Sequence, residues 1–469
     1  MSKKNQNYTN RKQNRFQPER MRGNIFVNNS GKQWLPGKNG RAAKVERLLR
    51  GLEKKEIAGN MAGYKDSGIE YIGQVPKDWE VLRLKNISNI YAAKEYLFGE
   101  WPVEKNGKPY SPFGEWSSGN EVIITGRVGT IGQYEMLEKN PKKKILINDN
   151  RLLIRPFTED YRKKVLSHFL FWAMAIVNLN DIITGSAVPL ITATSLLKKR
   201  IVVPPLSEQQ RIADFLDTKC GILDRTIDAV SQQIEDLEKY KKALITKTVT
   251  KGIYKKGEPE RAMKDSGVEW IGEVPEEWDV KRNSLNFDIR KTLVGENWSN
   301  MQLLSLTTNG VKNITIDDQV GKRPKTLATY QIAHKNDIVM CLFDLDASAV
   351  FSGLCKKNGI ISPAYKLLKC KNGMFPPYAE YYFRAVFDGR KYKKYAKSIR
   401  YTISTNDFMH LKMPVPPLAE QQQIADYLDE KCKNINNRVQ KRRQQLEWLK
   451  EYKKSLIFDY VTGKKRVEK

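Results

Sequence analysis

Histidine is nearly absent. The 469 residues hold three, His168, His334 and His410, far apart in the chain. None belongs to a metal-ligand spacing. The five cysteines are an odd number and form no CxxC pair. They are expected to be thiols in a reducing cytoplasm, with Cys220 and Cys432 as small, partly buried hydrophobes rather than half-cystines. No GxxxxGK occurs, so there is no P-loop to cradle nucleotide phosphates. The run Gly126-Arg127-Val128-Gly129-Thr130-Ile131-Gly132 is glycine-rich and follows a strand, but its spacing is wrong for GxGxxG and no long helix follows it. Phe375-Pro376-Pro377-Tyr378 has the outline of the Asn/Asp-Pro-Pro-Tyr motif of amino-methyltransferases, but Phe375 cannot accept a hydrogen bond from a target amine. Asp317, Asp318, Asp344 and Asp346 could hold a magnesium ion, yet they belong to no nuclease signature. No metal site, bound cofactor or catalysis by the chain alone is expected. No apolar run approaches the length of about 18 residues that a membrane span needs. The longest, Phe169 to Leu179, reads as a buried helix, and no apolar segment follows the basic N-terminus as a signal peptide would require.

Acidic residues are also in short supply. There are 53 Asp and Glu against 82 Lys and Arg, a formal net charge of +29. Such an excess favours a polyanionic partner, most simply nucleic acid. Hydrophobic residues make up 40% of the chain, enough for real cores. The length suits roughly two to four domains.

What the chain has in abundance is repetition. SEQQRIADFLDTKC at 207–220 returns as AEQQQIADYLDEKC at 419–432, each after Pro-Pro-Leu, at an offset of 212 residues that holds to Val249 and Val461. KDSGIEYIGQVP at 65–76 returns as KDSGVEWIGEVP at 264–275, with Trp79 matching Trp278. A match of this length is an internal duplication. The expected architecture is mixed α/β: two globular modules joined by two long antiparallel helices in a coiled coil, a tandem duplication with pseudo-two-fold symmetry. The boundaries are a basic, disordered extension over 1–60, a first module over 61–203, a central helix over 204–253, a second module over 254–415, and a C-terminal helix with a basic tail over 416–469.

Each long helix is about 43 residues, roughly 65 Å at 1.5 Å per residue. In the first, Leu223, Ile227, Val230, Ile234 and Leu237 follow heptad steps. The second carries Ile424, Leu428, Ile435, Val439, Leu446, Leu449 and Leu456, with Arg442 at the place of Val230. The economical burial for two such stripes is against each other. Ser207 with Gln210 reads as a capping box for the first helix, and Thr194 as the cap of a short turn before the strand Ile201–Val203. The mixed charges on the exposed helix faces suit a docking surface for partner proteins.

The modules differ where the scaffold does not. Strands are expected at Glu121–Thr125, Lys144–Ile147 and Leu152–Ile154, and a helix at about 162–179. Loops between them would carry base-edge and phosphate contacts. In the first module the candidates are Ser117, Asn120, Arg127, Lys142, Lys143, Lys144, Ser186 and Thr192. In the second they are Asn309, Lys312, Lys322, Arg323 and Lys325, then Arg390, Lys391, Lys393, Lys394, Lys397 and Arg400, and Asn406. Arg127, between two glycines, is the favoured base reader.

The paired KDSGxE(Y/W)IGxVPxxW and PPLxEQQxIADxLDxKC segments resemble the specificity subunit of type I restriction–modification enzymes, over about residues 61–464. The resemblance implies that each module is a target recognition domain reading one half of a bipartite DNA site. It implies that the helices set the spacer and bind two methyltransferase subunits, which carry S-adenosylmethionine and methylate adenine N6. Motor–nuclease subunits using ATP and Mg2+ would complete a restriction complex active in phage defence in a prokaryotic cytoplasm. The subunit itself would be non-catalytic. The alternative is a duplicated DNA-binding or architectural protein without methyltransferase partners.

Overall fold

A computed structural model describes residues 22–23, 63–92, 122–126, 131–136, 151–157, 164–185, 189–253, 257, 259–308, 310–315, 326–345, 351–371, 373–396 and 401–467. The expected strand Lys144–Ile147 and all but two residues of the N-terminal extension lie outside these. The fold is mixed α/β and divides into two compact units, Met1–Ile227 with Glu447–Lys469, and Asp228–Leu446. Each unit therefore takes a share of both long helices.

In the first unit, strand β1 (Arg22–Gly23) is followed by the hairpin β2 (Tyr64–Asp66) and β3 (Gln74–Pro76), then β4 (Glu80–Arg83) and β5 (Ser88–Ala92). Next come β6 (Val122–Thr125), β7 (Tyr134–Met136), β8 (Arg151–Pro156), helices α1 (Ser167–Met174) and α2 (Ala193–Leu197), β9 (Arg200–Val203), and the long helix α3 (Leu206–Lys251). The main sheet has the order β1-β7-β6-β8-β5 and is antiparallel throughout. Leu152, Leu153 and Ile154 of β8 are all buried, as an interior strand covered on both faces requires. Helix α1, SHFLFWAM, buries its six residues Phe169 to Met174, the mark of a helix apolar all round. It is shorter than the periodicity predicts. β4 pairs with β9, which runs straight into Pro204-Pro205 and α3.

Among the described residues, the second unit repeats the frame and holds more strands. The hairpin β10 (Met263–Asp265) and β11 (Glu273–Pro275) precedes β12 (Asp279–Arg282), which pairs with β21 (Lys412–Val415) just before the long helix α6 (Leu418–Val461). Between them lie two four-stranded sheets. One holds β13 (Phe287–Arg290), β17 (Ile338–Met340), β18 (Ser352–Leu354) and β20 (Lys366–Cys370) in the order β13-β20-β17-β18. The other holds β14 (Leu303–Thr307), β15 (Gly310–Ile314), β16 (Gln331–Ala333) and β19 (Gly359–Ile361) in the order β15-β14-β19-β16, with β14 and β19 parallel. Helix α4 (Pro376–Asp388) stands where α1 stands in the first unit, and α5 (Thr405–His410) where α2 stands.

The long helices pack together in each unit, in opposite directions. In the first, Ile212, Leu216 and Cys220 share a core with Ile457 and Val461, the Phe215 and Tyr460 rings lie 4.4 Å apart, and Lys453 bonds Asp224 at 2.6 Å. In the second, Ile245 and Val249 share a core with Ile424, Leu428 and Cys432. There Lys241 donates to Asn436 at 2.9 Å and Arg443 to Glu238 at 2.7 Å. Val230, Ile234, Ile435 and Val439 are buried, while Arg442 is exposed where its counterpart Val230 is not.

Two local expectations are corrected. α3 begins at Leu206, so Ser207 lies inside the first turn instead of capping it; the Glu208 and Gln209 amides donate to the Pro205 carbonyl at 2.9 Å. α2 is capped by Thr192, not Thr194, and its counterpart 212 residues on, Ser404, caps α5 in the same way. Both long helices stop on a glycine in the left-handed region, Gly252 at φ +80° and Gly463 at φ +70°. The positive φ favours glycine at both, and at Gly463 a Cβ would also meet the Pro76 ring at 2.6 Å, so there both the turn and the approach call for glycine.

Candidate nucleic-acid interface and the joints that hold it

The repeated motifs turn out to be joints. In KDSG, the Asp66 carboxylate accepts the Gly68 amide at 2.9 Å and Ser67 Oγ accepts the Ile69 amide at 3.1 Å. Asp265 and Ser266 do the same for Gly267 and Val268, at 3.0 and 3.1 Å. These short side chains mimic backbone turns and set the hairpin. Each hairpin leads to a fully buried tryptophan, Trp79 or Trp278. The Trp79 indole N–H donates to Glu208 at 3.0 Å, and that of Trp278 to Glu420 at 2.9 Å.

The next residue of each EQQ motif ties the module to the helix start. Gln209 accepts the Leu166 amide at 2.9 Å and donates to the Pro204 carbonyl at 2.8 Å. Gln421 accepts the Phe375 amide and donates to the Gly373 and Pro416 carbonyls, all at 2.8 Å. A buried glutamine amide satisfied at both ends leaves no freedom to rotate. The second Asp of IADxLD completes the joint. Asp217 receives Trp172 at 2.8 Å and bonds His168 at 3.0 Å, while Asp429 receives the Tyr381 hydroxyl at 2.7 Å. The far end of each partner helix closes onto the same joint. Arg466 bonds Asp78 at 2.7 Å and lies 3.8 Å from Glu208, and Tyr64 donates to the Gly463 carbonyl at 2.9 Å. In the second unit Arg261 bonds Glu420 at 2.6 Å and pairs with Glu277.

The first joint holds a histidine, His168, on Asp217, whose counterpart Asp429 takes the Tyr381 hydroxyl in the second. The hydrogen bond to Asp217 raises the pKa of His168 above the ordinary histidine value, against the opposing pull of burial. A raised folded pKa contributes stability that is fully present below the unfolded value of about 6.5 and is lost as pH rises through the folded value. Melting of the wild-type chain should therefore lose ground to a His168→Gln variant as pH rises from about 6 towards 9. Two parallel pH profiles would refute this.

The candidate DNA contacts fall unevenly. Ser117, Asn120, Arg127, Lys142, Lys143, Lys144, Ser186, Asn309, Lys322, Arg323, Lys325, Lys397 and Arg400 lie outside the described residues. Thr192 is described, and its hydroxyl is engaged in capping: Oγ1 accepts the Ser195 amide at 3.1 Å. Lys312 is exposed on β15. Arg390, Lys391, Lys393 and Lys394 are brought together on one turn after α4, with Arg390 at φ +51°. Lys391 Nζ lies 5.9 Å from the Trp270 ring, Lys393 Nζ lies 4.7 Å from the Tyr401 ring, and Lys394 pairs with Glu269. This basic turn thus rests on the KDSGVEW hairpin. Asn406 is exposed on α5, beside the His410 ring that bonds its carbonyl at 2.8 Å. The joint residues Glu208, Gln209, Asp217, Glu420, Gln421 and Asp429 were not legible as joints. Their repetition was the one available signal, because their partners lie 43 to 142 residues away.

Among the described residues, no group of three or more His, Cys, Asp or Glu could hold a metal ion. Among them too, no helix is long and apolar enough to cross a membrane. The long helices carry exposed apolar side chains. Ile222 and Tyr240 project from α3, and Trp448 and Tyr452 stack on α6 with centroids 5.5 Å apart.

Comparison with known proteins gives a consistent result. The model of the type I restriction modification DNA specificity domain matches residues 76–239 and 308–447. The type I restriction enzyme MjaVIII specificity subunit of Methanocaldococcus jannaschii is 24% identical over 436 residues, 84% of this chain and 95% of that protein. The putative MjaX specificity subunit of the same organism is 24% identical over 440 residues, 85% of this chain and 96% of that one. A chain from a solved structure concerned with complex assembly and conformational transition of the type I R-M system shares the fold. It has a TM-score of 0.58 and 15% identity, covering 83% of this chain and 99% of that one.

Proposed function

The chain belongs to the type I restriction–modification DNA specificity family, whose members are non-catalytic specificity subunits, and from that premise we propose how it divides the work. Each module reads one half of a bipartite DNA site. The two long helices set the length of the spacer and dock two methyltransferase subunits, which carry S-adenosylmethionine and methylate adenine N6 within the site. With motor–nuclease subunits that use ATP and Mg2+, the complex restricts unmodified DNA.

The observation that carries this reading is the pairing of like joints with unlike modules. Trp79–Glu208 and Trp278–Glu420 repeat the same bond, and Gln209 and Gln421 the same bracket. What they hold differs in sequence, and among the described residues one five-stranded sheet stands in the first unit against two four-stranded sheets in the second. A scaffold that is kept while its cargo changes suits two readers of different sequence presented to one kind of partner. The net charge of +29 supports a polyanionic ligand. Exposed Ile222, Tyr240, Trp448 and Tyr452 support protein docking on the helices, since large apolar and aromatic groups left in water mark such surfaces.

Mapping adenine methylation in cells that express this chain with its neighbouring methyltransferase, against cells lacking the chain, tests the proposal. A bipartite methylated motif is expected only where the chain is present, and exchanging residues 77–203 should change one half of it alone. Identical methylation in both cell types would leave a duplicated DNA-binding protein without a methyltransferase partner.

A further inference from the structure

The two copies of the long helix differ sharply in charge. Residues 431–446, KCKNINNRVQKRRQQL, hold six Lys and Arg and no acidic residue. The aligned 219–234, KCGILDRTIDAVSQQI, hold two basic and two acidic residues. Both form uninterrupted helix and bury the aligned Cys220 and Cys432, so the packing does not require the charge. The charge works against the helix. Arg438 and Arg442 stand four residues apart on one side of α6, and like charges at that spacing repel. Arg442 also replaces the buried Val230 of the other copy, giving up an apolar layer.

Most of these cations have no carboxylate partner among the described residues. Arg443 is spent on Glu238 at 2.7 Å, and Lys431 lies 5.4 Å from the Tyr427 ring. Arg442 bonds only the neutral Gln445, at 2.7 Å. Among the described residues, no carboxylate lies within ion-pair reach of Arg438, Lys441 or Arg442. The exposed side chains from 433 to 444 are all Lys, Arg, Asn and Gln. That composition is the one that contacts phosphate oxygens, whereas protein-docking cores are depleted of Lys and built on apolar and aromatic anchors. Arg438 and Arg442 are about 6 Å apart along the helix, and a duplex carries one charge per about 1.7 Å of its axis. A duplex laid along this face would meet the stripe with several phosphates.

We propose that the face of α6 centred on Arg438, Lys441 and Arg442 binds the phosphate backbone of the nonspecific DNA between the two half-sites, without reading bases. This rests on the half-site reading above. The test uses the full-length chain in complex with its methyltransferase, and measures affinity against salt for a duplex bearing the methylated-motif sequence and for one with both halves scrambled. In an Arg438→Gln/Arg442→Gln variant the slope of log affinity on log salt should flatten by about 1.8, at about 0.9 per lost phosphate contact. The preference for the cognate duplex should stay unchanged, and Arg438→Lys/Arg442→Lys should keep the wild-type slope. Uncharged methylphosphonate linkages placed in the spacer should erase the difference between wild type and the Gln variant. An unchanged slope in the Gln variant overturns the proposal. So does loss of the methyltransferase from the Gln complex at unaltered slope, which would assign the stripe to an acidic protein surface. Failure of the wild-type complex to distinguish the two duplexes would instead overturn the half-site reading, while the slope comparison still decides the backbone contact.

Discussion

Replacing Trp79 by Ala is expected to cost about 3–5 kcal/mol, the range for deleting a large buried aromatic. The ring is fully buried, and a Cβ on Gly463 would sit 3.1 Å from its edge, so the site has little room to collapse. The loss also strips Glu208 of its indole donor. Among the described residues, the cation that pairs with it, Arg466, stands at 3.8 Å, beyond hydrogen-bond reach. Trp79→Phe separates the two effects. It keeps most of the ring and leaves the buried carboxylate short of a donor, which costs about 1–3 kcal/mol. In the second unit the same exchange at Trp278 should cost less, because Arg261 bonds Glu420 directly at 2.6 Å. Denaturant unfolding of the three variants checks this. Equal losses for Trp79→Phe and Trp278→Phe would show that the indole hydrogen bond is not what holds Glu208.

Ile234→Asp is expected to have an effect of similar size, about 3–5 kcal/mol, from the lost packing of a buried Ile together with a carboxylate left without a partner. Ile234 is 9% exposed on α3, in the unit where Val230, Ile435 and Val439 are also buried. Ile222 on the same helix is 48% exposed, and Ile222→Asp should change stability by less than about 0.5 kcal/mol. Melting followed by far-UV circular dichroism distinguishes the cases. A cooperative melt of Ile234→Asp at the wild-type midpoint would mean that the apolar stripe is not what pairs the helices.

Periodicity and repetition carried a large part of the architecture. The stripe from Leu223 to Leu237 has heptad spacing, and the structure leaves Val230 and Ile234 buried and Leu223, Ile227 and Leu237 half-buried. Pro204-Pro205 and Pro416-Pro417 mark both helix starts within one residue. These features are local, and the chain's own chemistry dictates them: proline ends what precedes it, and a stripe of apolar residues on a helix must be buried. Local reasoning failed where a residue serves a distant partner. Gln210 with Ser207 has the form of a capping box, yet it is the neighbouring Glu208 and Gln209 that matter, through bonds to Trp79 and Leu166. Thr192 was legible as a loop hydroxyl but is committed to capping α2.

The sequence by itself therefore determined the duplication, the long helices with their buried stripes and the excess of positive charge, because each depends on local spacing, on repetition or on composition alone. Only the tertiary structure decided that the repeated Trp, Glu, Gln and Asp side chains are the joints between modules and helices. A hydrogen bond between residues 129 positions apart, as from Trp79 to Glu208, leaves no trace in local spacing. It exists because packing brings the two groups together away from water, where a polar group without its partner would be costly.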